Sequence, residues 1–146
     1  MTKIKAIEYY FPENRVFNDP ENKTTKKIGI SSKYIARKDE TALDLAIKAA
    51  EKIFEKGVIN KEEIDFLLFC TQTPDYILPT SACIIQEKLG LPTSCGALDF
   101  NLGCSGFIYG LSLAKGLIKS NQATNVLLLT ADTYSKHINE NDVSTA

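Results

Sequence analysis

The absences in this sequence narrow its role before any motif does. No apolar run is long: stretches such as Phe66 to Cys70 and Val126 to Leu129 fall far short of the roughly 20 residues that span a bilayer. The N-terminus alternates polar and apolar residues and holds no signal-peptide hydrophobic region. Neither sign of charge dominates, since 17 Lys and Arg against 18 Asp and Glu leave a formal net charge of -1. That balance gives no global electrostatic argument for nucleic acid or for a membrane surface. Histidine occurs once, as His137, and no two of Cys70, Cys83, Cys95 and Cys104 are spaced as in a zinc knuckle or a redox pair. No metal site is expected. A glycine-rich phosphate loop of either common type is missing, as are internal repeats and low-complexity tracts. The expected compartment is the cytoplasm, with reduced thiols, so the Asn22-Lys23-Thr24 sequon reads as a chance match.

What remains is ordinary globular chain: 146 residues, 44% hydrophobic and 24% charged, enough for one domain or one lobe with a real core. Residues 3–10 (KIKAIEYY) alternate as a half-buried strand would. Pro12 to about Lys38 reads as a long, lysine-rich connection with a short strand near Tyr34 to Ala36. A helix is expected from Thr41 to Lys56, with apolar Ala42, Leu45, Ala46, Ala49 and Ile53 at helical spacing and Gly57 at its end. Ile64 to Thr71 is a strand whose FLLFC core is apolar on both faces, which calls for helices on both sides. A helix from Ser81 to Leu89 stops at Gly90 and Pro92. A strand at Ala97 to Asn101 runs into a helix from Cys104 to Ser120, and Asn125 to Thr130 forms the last strand. Asp132 to Ala146 reads as a polar loop. Strands alternating with helices at these lengths predict an α/β fold with a parallel-rich sheet.

The segment ALDFNLGCSGFIYGLSLAKGLIKS carries the chemistry. Phe107, Leu111, Ala114 and Ile118, widened by Ile108 and Leu117, leave only a narrow polar stripe of Ser112, Lys115 and Lys119, so this helix is expected to be mostly buried. Gly103, Gly106 and Gly110 cost helix propensity and point to close packing. A cysteine at this place meets unpaired backbone N–H groups and the positive end of a helix dipole, which favour a thiolate. A strand-to-helix turn also aims the sulfur outward from the sheet end, where open α/β sheets bind ligands. Those same N–H groups can hold the oxygen of a tetrahedral thioester intermediate. Free cysteine is equally at home as a small buried hydrophobe, the role expected of Cys70, Cys83 and Cys95. Local pattern leaves both readings of Cys104 open.

Four segments in order, KIKAIEYYFPENRV, KIGISSKYIARKDETALDLAIKAAEKIF, DFLLFCTQTPDYILPTSACIIQEKLGLP and ALDFNLGCSGFIYGLSLAKGLIKSNQATNVLLLTADTYSK, together resemble the β-ketoacyl-acyl-carrier-protein synthase III family of thiolase-like condensing enzymes. The resemblance spans almost the whole chain. It implies residues 1–146 as an N-terminal thiolase-like half-domain, with a mixed, mostly parallel sheet, helices on both faces, and truncation before its last strand. It implies an acyltransferase of fatty acid biosynthesis in which Cys104 takes an acyl group from coenzyme A and condenses it with malonyl-acyl-carrier protein after decarboxylation. The backbone N–H of Cys104 would be one oxyanion donor. No resident cofactor is implied, only a coenzyme A thioester as substrate, and a homodimer is expected.

By the same resemblance, Leu78 would reach across the dimer to limit the acyl pocket; Ile77 and Leu78 could equally form an apolar staple before the next helix. Lys27, in the basic connection, would meet a coenzyme A phosphate, with a solvated lysine loop as the plain alternative. Two departures touch that region. The segment before Gly29 is short, with Ser31 where the family commonly has arginine, and the tryptophan often found near the adenine is absent. The family's enolate-stabilising histidine and asparagine lie in the second half of its fold, and His137 resembles neither motif. The chain alone is therefore expected to accept an acyl group but not to condense. A different class of role, a non-catalytic thiolase-like subunit acting by dimerisation, is the competing expectation.

Overall fold

The computed structural model describes residues 1–139. The chain first builds a two-stranded antiparallel hairpin from β1 (Asn14–Phe17) and β2 (Ser32–Ile35), with the short helix α1 (Lys23–Ile28) between them. Then come α2 (Ala42–Glu55), β3 (Phe66–Cys70), α3 (Ser81–Leu89), β4 (Gly96–Phe100), α4 (Gly106–Lys119) and β5 (Val126–Thr130), with a 3-10 turn at Tyr134–Lys136. The strands β4, β3 and β5 lie side by side in that order, all parallel, with Leu67 opposite both Ala97 and Leu127.

The period of two along each strand divides the side chains between two faces. Leu67, Phe69, Leu127 and Leu129 pack with Ala42, Leu43, Ala46 and Ala50 of α2 and with Ala82, Ile85 and Leu89 of α3. The alternate residues face α4, whose buried Gly106 and Gly110 lie against Cys70, Leu128 and Phe100. The central strand is thus covered on both faces, as its unbroken apolar run required, and Leu67, Leu68 and Phe69 are fully buried. Parallel strands need a crossover connection, and two helices on opposite faces supply it.

Local capping sets the helix bounds. Thr41 accepts from the Asp44 N–H and Asp44 from the Thr41 N–H, a reciprocal pair that starts α2. Gly57 (φ 64°) and Gly90 (φ 66°) take the left-handed backbone that ends α2 and α3.

Residues 3–10 differ from expectation. They form no strand, and Ile4, Ile7 and Tyr9 are exposed. Alternation creates a strand only where a neighbour supplies ladder hydrogen bonds, and no described strand lies beside this segment. Side chains of α2 and of its C-cap residue Lys56 hold it instead. Lys48 Nζ donates to Tyr10 Oη (3.3 Å) and Lys52 Nζ to the Tyr9 carbonyl (3.1 Å), while Lys56 pairs with Glu8. Successive turns of one helix face carry these three lysines.

The long connection, in turn, is a hairpin rather than irregular chain. Its exit is pinned by buried Glu40, whose carboxylate receives Lys48 Nζ (2.6 Å) and thereby raises the Lys48 pKa. The Glu40 backbone carbonyl accepts from Lys136 Nζ (2.6 Å). Residues 132–139, expected as loop, contain the 3-10 turn; the rest of that expected loop, and the expected truncation before a last strand, lie outside the described residues.

The glycines of α4 differ in what surrounds them. A Cβ on Gly110 would sit 2.5 Å from Leu128 Cδ1 and 3.1 Å from Phe100 Cζ, whereas nothing lies within 4 Å of one on Gly116. Gly110→Ala should therefore destabilise the fold by about 1–3 kcal/mol through overpacking. Gly116→Ala should stabilise it by roughly 0.5–1 kcal/mol through helix propensity. Urea unfolding of both variants checks the pair, and shifts of the same sign would contradict the packing described.

Candidate active site

The loops leaving the C-terminal ends of the parallel strands meet at one edge of the sheet, the edge where open α/β folds bind ligands. Strand β4 ends at Phe100, and residues 101–105 carry the chain to α4. Within them the Gly106 N–H donates to the Gly103 carbonyl (2.8 Å), closing a tight turn with Cys104 at its second position. Cys104 is exposed, and it precedes the helix by two residues instead of opening it. The backbone amides of Cys104 and Ser105 donate to no carbonyl among the described residues. They remain available to an oxygen atom brought to the thiol, beside the positive end of a fourteen-residue helix.

Close packing beneath the turn fixes its position. A Cβ on Gly106 would lie 2.3 Å from Cys70 Sγ, so only glycine fits there without pushing the buried Cys70 thiol aside. The Cys70 thiol donates to the Leu102 carbonyl (3.2 Å), tying the end of the central strand to the chain just before Cys104. Burial pushes the Cys70 thiol up, and does the same to Cys95. Both stay protonated and inert.

Two carboxylates organise the neighbouring loops. Asp99 on β4 accepts the Ser81 N–H (2.7 Å) and the Ala82 N–H (2.6 Å) through its two oxygens, capping α3 from across the sheet. Asp132, just past β5, accepts at Oδ1 from the Gln72 N–H (2.7 Å), the Thr71 hydroxyl (3.1 Å) and the Thr73 hydroxyl (3.2 Å). The Thr73 hydroxyl in turn accepts the Thr133 N–H (2.9 Å). The loops after β3 and β5 are thereby laced together beside the Cys104 turn. Charge-assisted bonds of this kind are the stronger sort. Asp99, Asp132 and Gln72 lie within the segments that resemble the family, but the only local signal of these contacts is the polar run Thr71-Gln72-Thr73 directly after an apolar strand.

The expected site residues are distributed unevenly. Cys104 and Leu78 both sit on loops at this sheet edge, after β4 and β3. Leu78 is 80% exposed, beside Ile77 at 94%, so the pair staples nothing here. Lys27 lies on α1 within the separate hairpin sheet, exposed. His137 comes directly after the 3-10 turn, its N–H bonded to the Tyr134 carbonyl. Cys83, expected in the core, is exposed, because α3 turns Ala82 and Ile85 inward and Cys83 falls on the opposite side.

The largest difference concerns α4. Its outer face, expected to be buried, carries exposed Phe107 (43%), Ile108 (65%), Tyr109 (58%) and Leu113 (44%). An apolar helix surface is buried only if something packs on it, and the sheet takes just the glycine face.

A family model for 3-oxoacyl-[acyl-carrier-protein] synthase III matches residues 98–146, which hold most of β4, Cys104 and α4. The β-ketoacyl-[acyl-carrier-protein] synthase III of Neisseria meningitidis serogroup A is 37% identical over 98% of this chain and 47% of its own length. That of Clostridium perfringens is 38% identical over 96% of this chain and 45% of its own. The chain thus spans about half the length of the curated relatives it matches. A crystal structure of 3-oxoacyl-(acyl-carrier-protein) synthase III superposes with a TM-score of 0.92 at 50% identity, over 97% of this chain and 45% of that one. Sequence and fold agree: nearly the whole of this chain is similar to about half of a β-ketoacyl-[acyl-carrier-protein] synthase III, and its fold is a thiolase-like α/β half.

Proposed function

We propose that this chain provides the acyl-accepting half of a 3-oxoacyl-acyl-carrier-protein synthase III, with Cys104 as the nucleophile. The observation that carries the reading is the exposed Cys104 on the glycine-bounded turn between β4 and α4, beside two backbone amides that donate to no carbonyl among the described residues. In the proposed reaction the thiol gives up its proton and the sulfur attacks the carbonyl carbon of an acyl-coenzyme A. The tetrahedral oxygen gathers hydrogen bonds from the turn, then the bond to coenzyme A breaks and its sulfur leaves, taking a proton. Malonyl-acyl-carrier protein would next lose carbon dioxide, and its carbanion would attack the acyl carbon and expel the Cys104 thiolate. Condensation needs a carbanion stabiliser, and the chain's one histidine, His137, occupies no motif of that kind. This chain alone is expected to stop at the acyl-cysteine.

Leu78 fits the part of a pocket-limiting side chain: it projects from the sheet-edge loop into solvent, where a second copy could receive it. Lys27 fits a phosphate contact through its place at the last turn of basic α1. A cytoplasmic homodimer is the matching assembly, and among the described residues no helix is long and apolar enough to cross a membrane.

Native alkylation with iodoacetamide should modify Cys104 and Cys83 and spare buried Cys70 and Cys95 until urea is added, as read by peptide mass spectrometry. Incubation with acyl-coenzyme A should then add one acyl mass to Cys104, and Cys104→Ser should remove it. An adduct on Cys83 alone, or none, would defeat the nucleophile assignment.

The competing reading, a non-catalytic subunit working by association, is favoured by one observation: the apolar surface of Tyr76, Ile77 and Leu78 together with the outer face of α4. Light scattering at micromolar concentration should show a species larger than the monomer, unchanged in Cys104→Ser. A stable monomer would remove this reading.

A further inference from the structure

The polar side chain set against the Cys104 turn is Gln72. The position a Cβ would take on Gly103, the residue before Cys104, lies 3.0 Å from Gln72 Oε1, 3.5 Å from Cδ and 3.7 Å from Nε2. The carboxamide therefore lies in contact range of the turn itself. Its backbone is not free to drift: the Gln72 N–H is bonded to Asp132 Oδ1 at 2.7 Å, and that oxygen is also held by the hydroxyls of Thr71 and Thr73. Thr71 and Thr73 on either side are both buried. The side-chain amide, by contrast, makes no hydrogen bond among the described residues, and Gln72 is exposed. Its Oε1 is the atom nearest the turn, with Nε2 slightly farther off, so an exposed carboxamide whose present partner is water lies beside whatever arrives at the turn.

We propose that Gln72 is a substrate-contacting residue of this site, its side-chain N–H donating to the carbonyl oxygen of the thioester brought to Cys104. The inference rests on Cys104 being the acyl acceptor. Covering the site with substrate would remove water from the amide, so its unused donor then needs a partner. A thioester carbonyl is an acceptor, and its oxygen gains negative charge as sulfur attacks. A donor that reaches it contributes more at the transition state than in the ground state. Asp132 acts one step back, as the residue that positions the Gln72 backbone.

The test compares the parent chain with Gln72→Ala and Gln72→Glu. Acyl transfer to Cys104 is measured by intact mass from acetyl-, butyryl- and octanoyl-coenzyme A. Iodoacetamide alkylation of Cys104 is followed in parallel across pH, and circular dichroism confirms folding. Gln72→Ala should slow acyl transfer about tenfold, the loss of one hydrogen bond, while alkylation stays within about twofold. Gln72→Glu places a carboxylate beside the thiolate and should move the alkylation midpoint upward by at least roughly half a pH unit. A residue with only a structural role would leave the ratio of the two rates unchanged, while the midpoint reports whether the side chain lies near enough to the thiol to act on it. Unchanged acyl transfer in Gln72→Ala, or an unmoved midpoint in Gln72→Glu, overturns the proposal and leaves Cys104 in place. If the parent takes up no acyl group from any of the three donors, the nucleophile assignment fails and Gln72 falls with it.

Discussion

The closeness of α4 to the sheet is the constraint on which this structure turns. At Gly106 and Gly110 the helix backbone rests on Cys70, Leu128 and Phe100 with no room for a methyl group. Larger residues there would have to push those side chains aside or move the helix away from them, and the turn before it with it. Because the approach is close, the chain between Phe100 and Gly106 has to turn sharply, and the turn delivers Cys104 to the rim. The same closeness buries Cys70 and brings its thiol to the Leu102 carbonyl. One thiol of the pair is thereby sealed and the other displayed, by a single packing decision.

Carboxylates serve at the sheet ends as helix caps do elsewhere. Asp99 supplies the N-terminal acceptor that α3 lacks locally, since Thr80 makes no side-chain cap. Asp65, at the opposite end of the central strand, accepts the Thr124 and Asn125 N–H groups where β5 begins. Asp132 closes the remaining corner. Each binds backbone N–H groups from chain far away in sequence, so the loops are fixed by charge-assisted bonds and not by turn chemistry.

That division explains how much could be read in advance. Helix α3, from Ser81 to Leu89, has the bounds its sequence implied, because Gly90 and Pro92 are local stop signals. The three parallel strands and α2 fall within a residue or two for the same reason: periodicity and caps belong to the segment itself. Residues 3–10 have a strand's pattern and lack a strand's neighbour, which no local signal reveals. The exposed face of α4 reads as buried because apolar spacing records what a surface needs, not whether its partner is present. The place of Cys104 between a strand and a helix was legible through its glycines; a reactive role was not, because the same pattern suits a small buried hydrophobe. Gln72 and Asp132 were not, because their relation to the turn exists only once β3, β4 and β5 lie side by side.

The order of the strands also sets a schedule. The middle strand of the sheet is made first, and its two neighbours are residues 96–100 and 126–130. An apolar FLLFC segment thus emerges from the ribosome with both of its edges unpaired. Its second partner comes about 60 residues later, a few seconds of synthesis at ordinary rates. Every strand contact in this sheet is distant in sequence, so the chain folds on the slow side for its size. Helix α2 is complete before β3 is made and is rich in buried alanine and leucine, yet it packs on α3 and β5, so its apolar face waits for partners that follow it in the chain. The covers of β3 itself, α3 and α4, are both made after it.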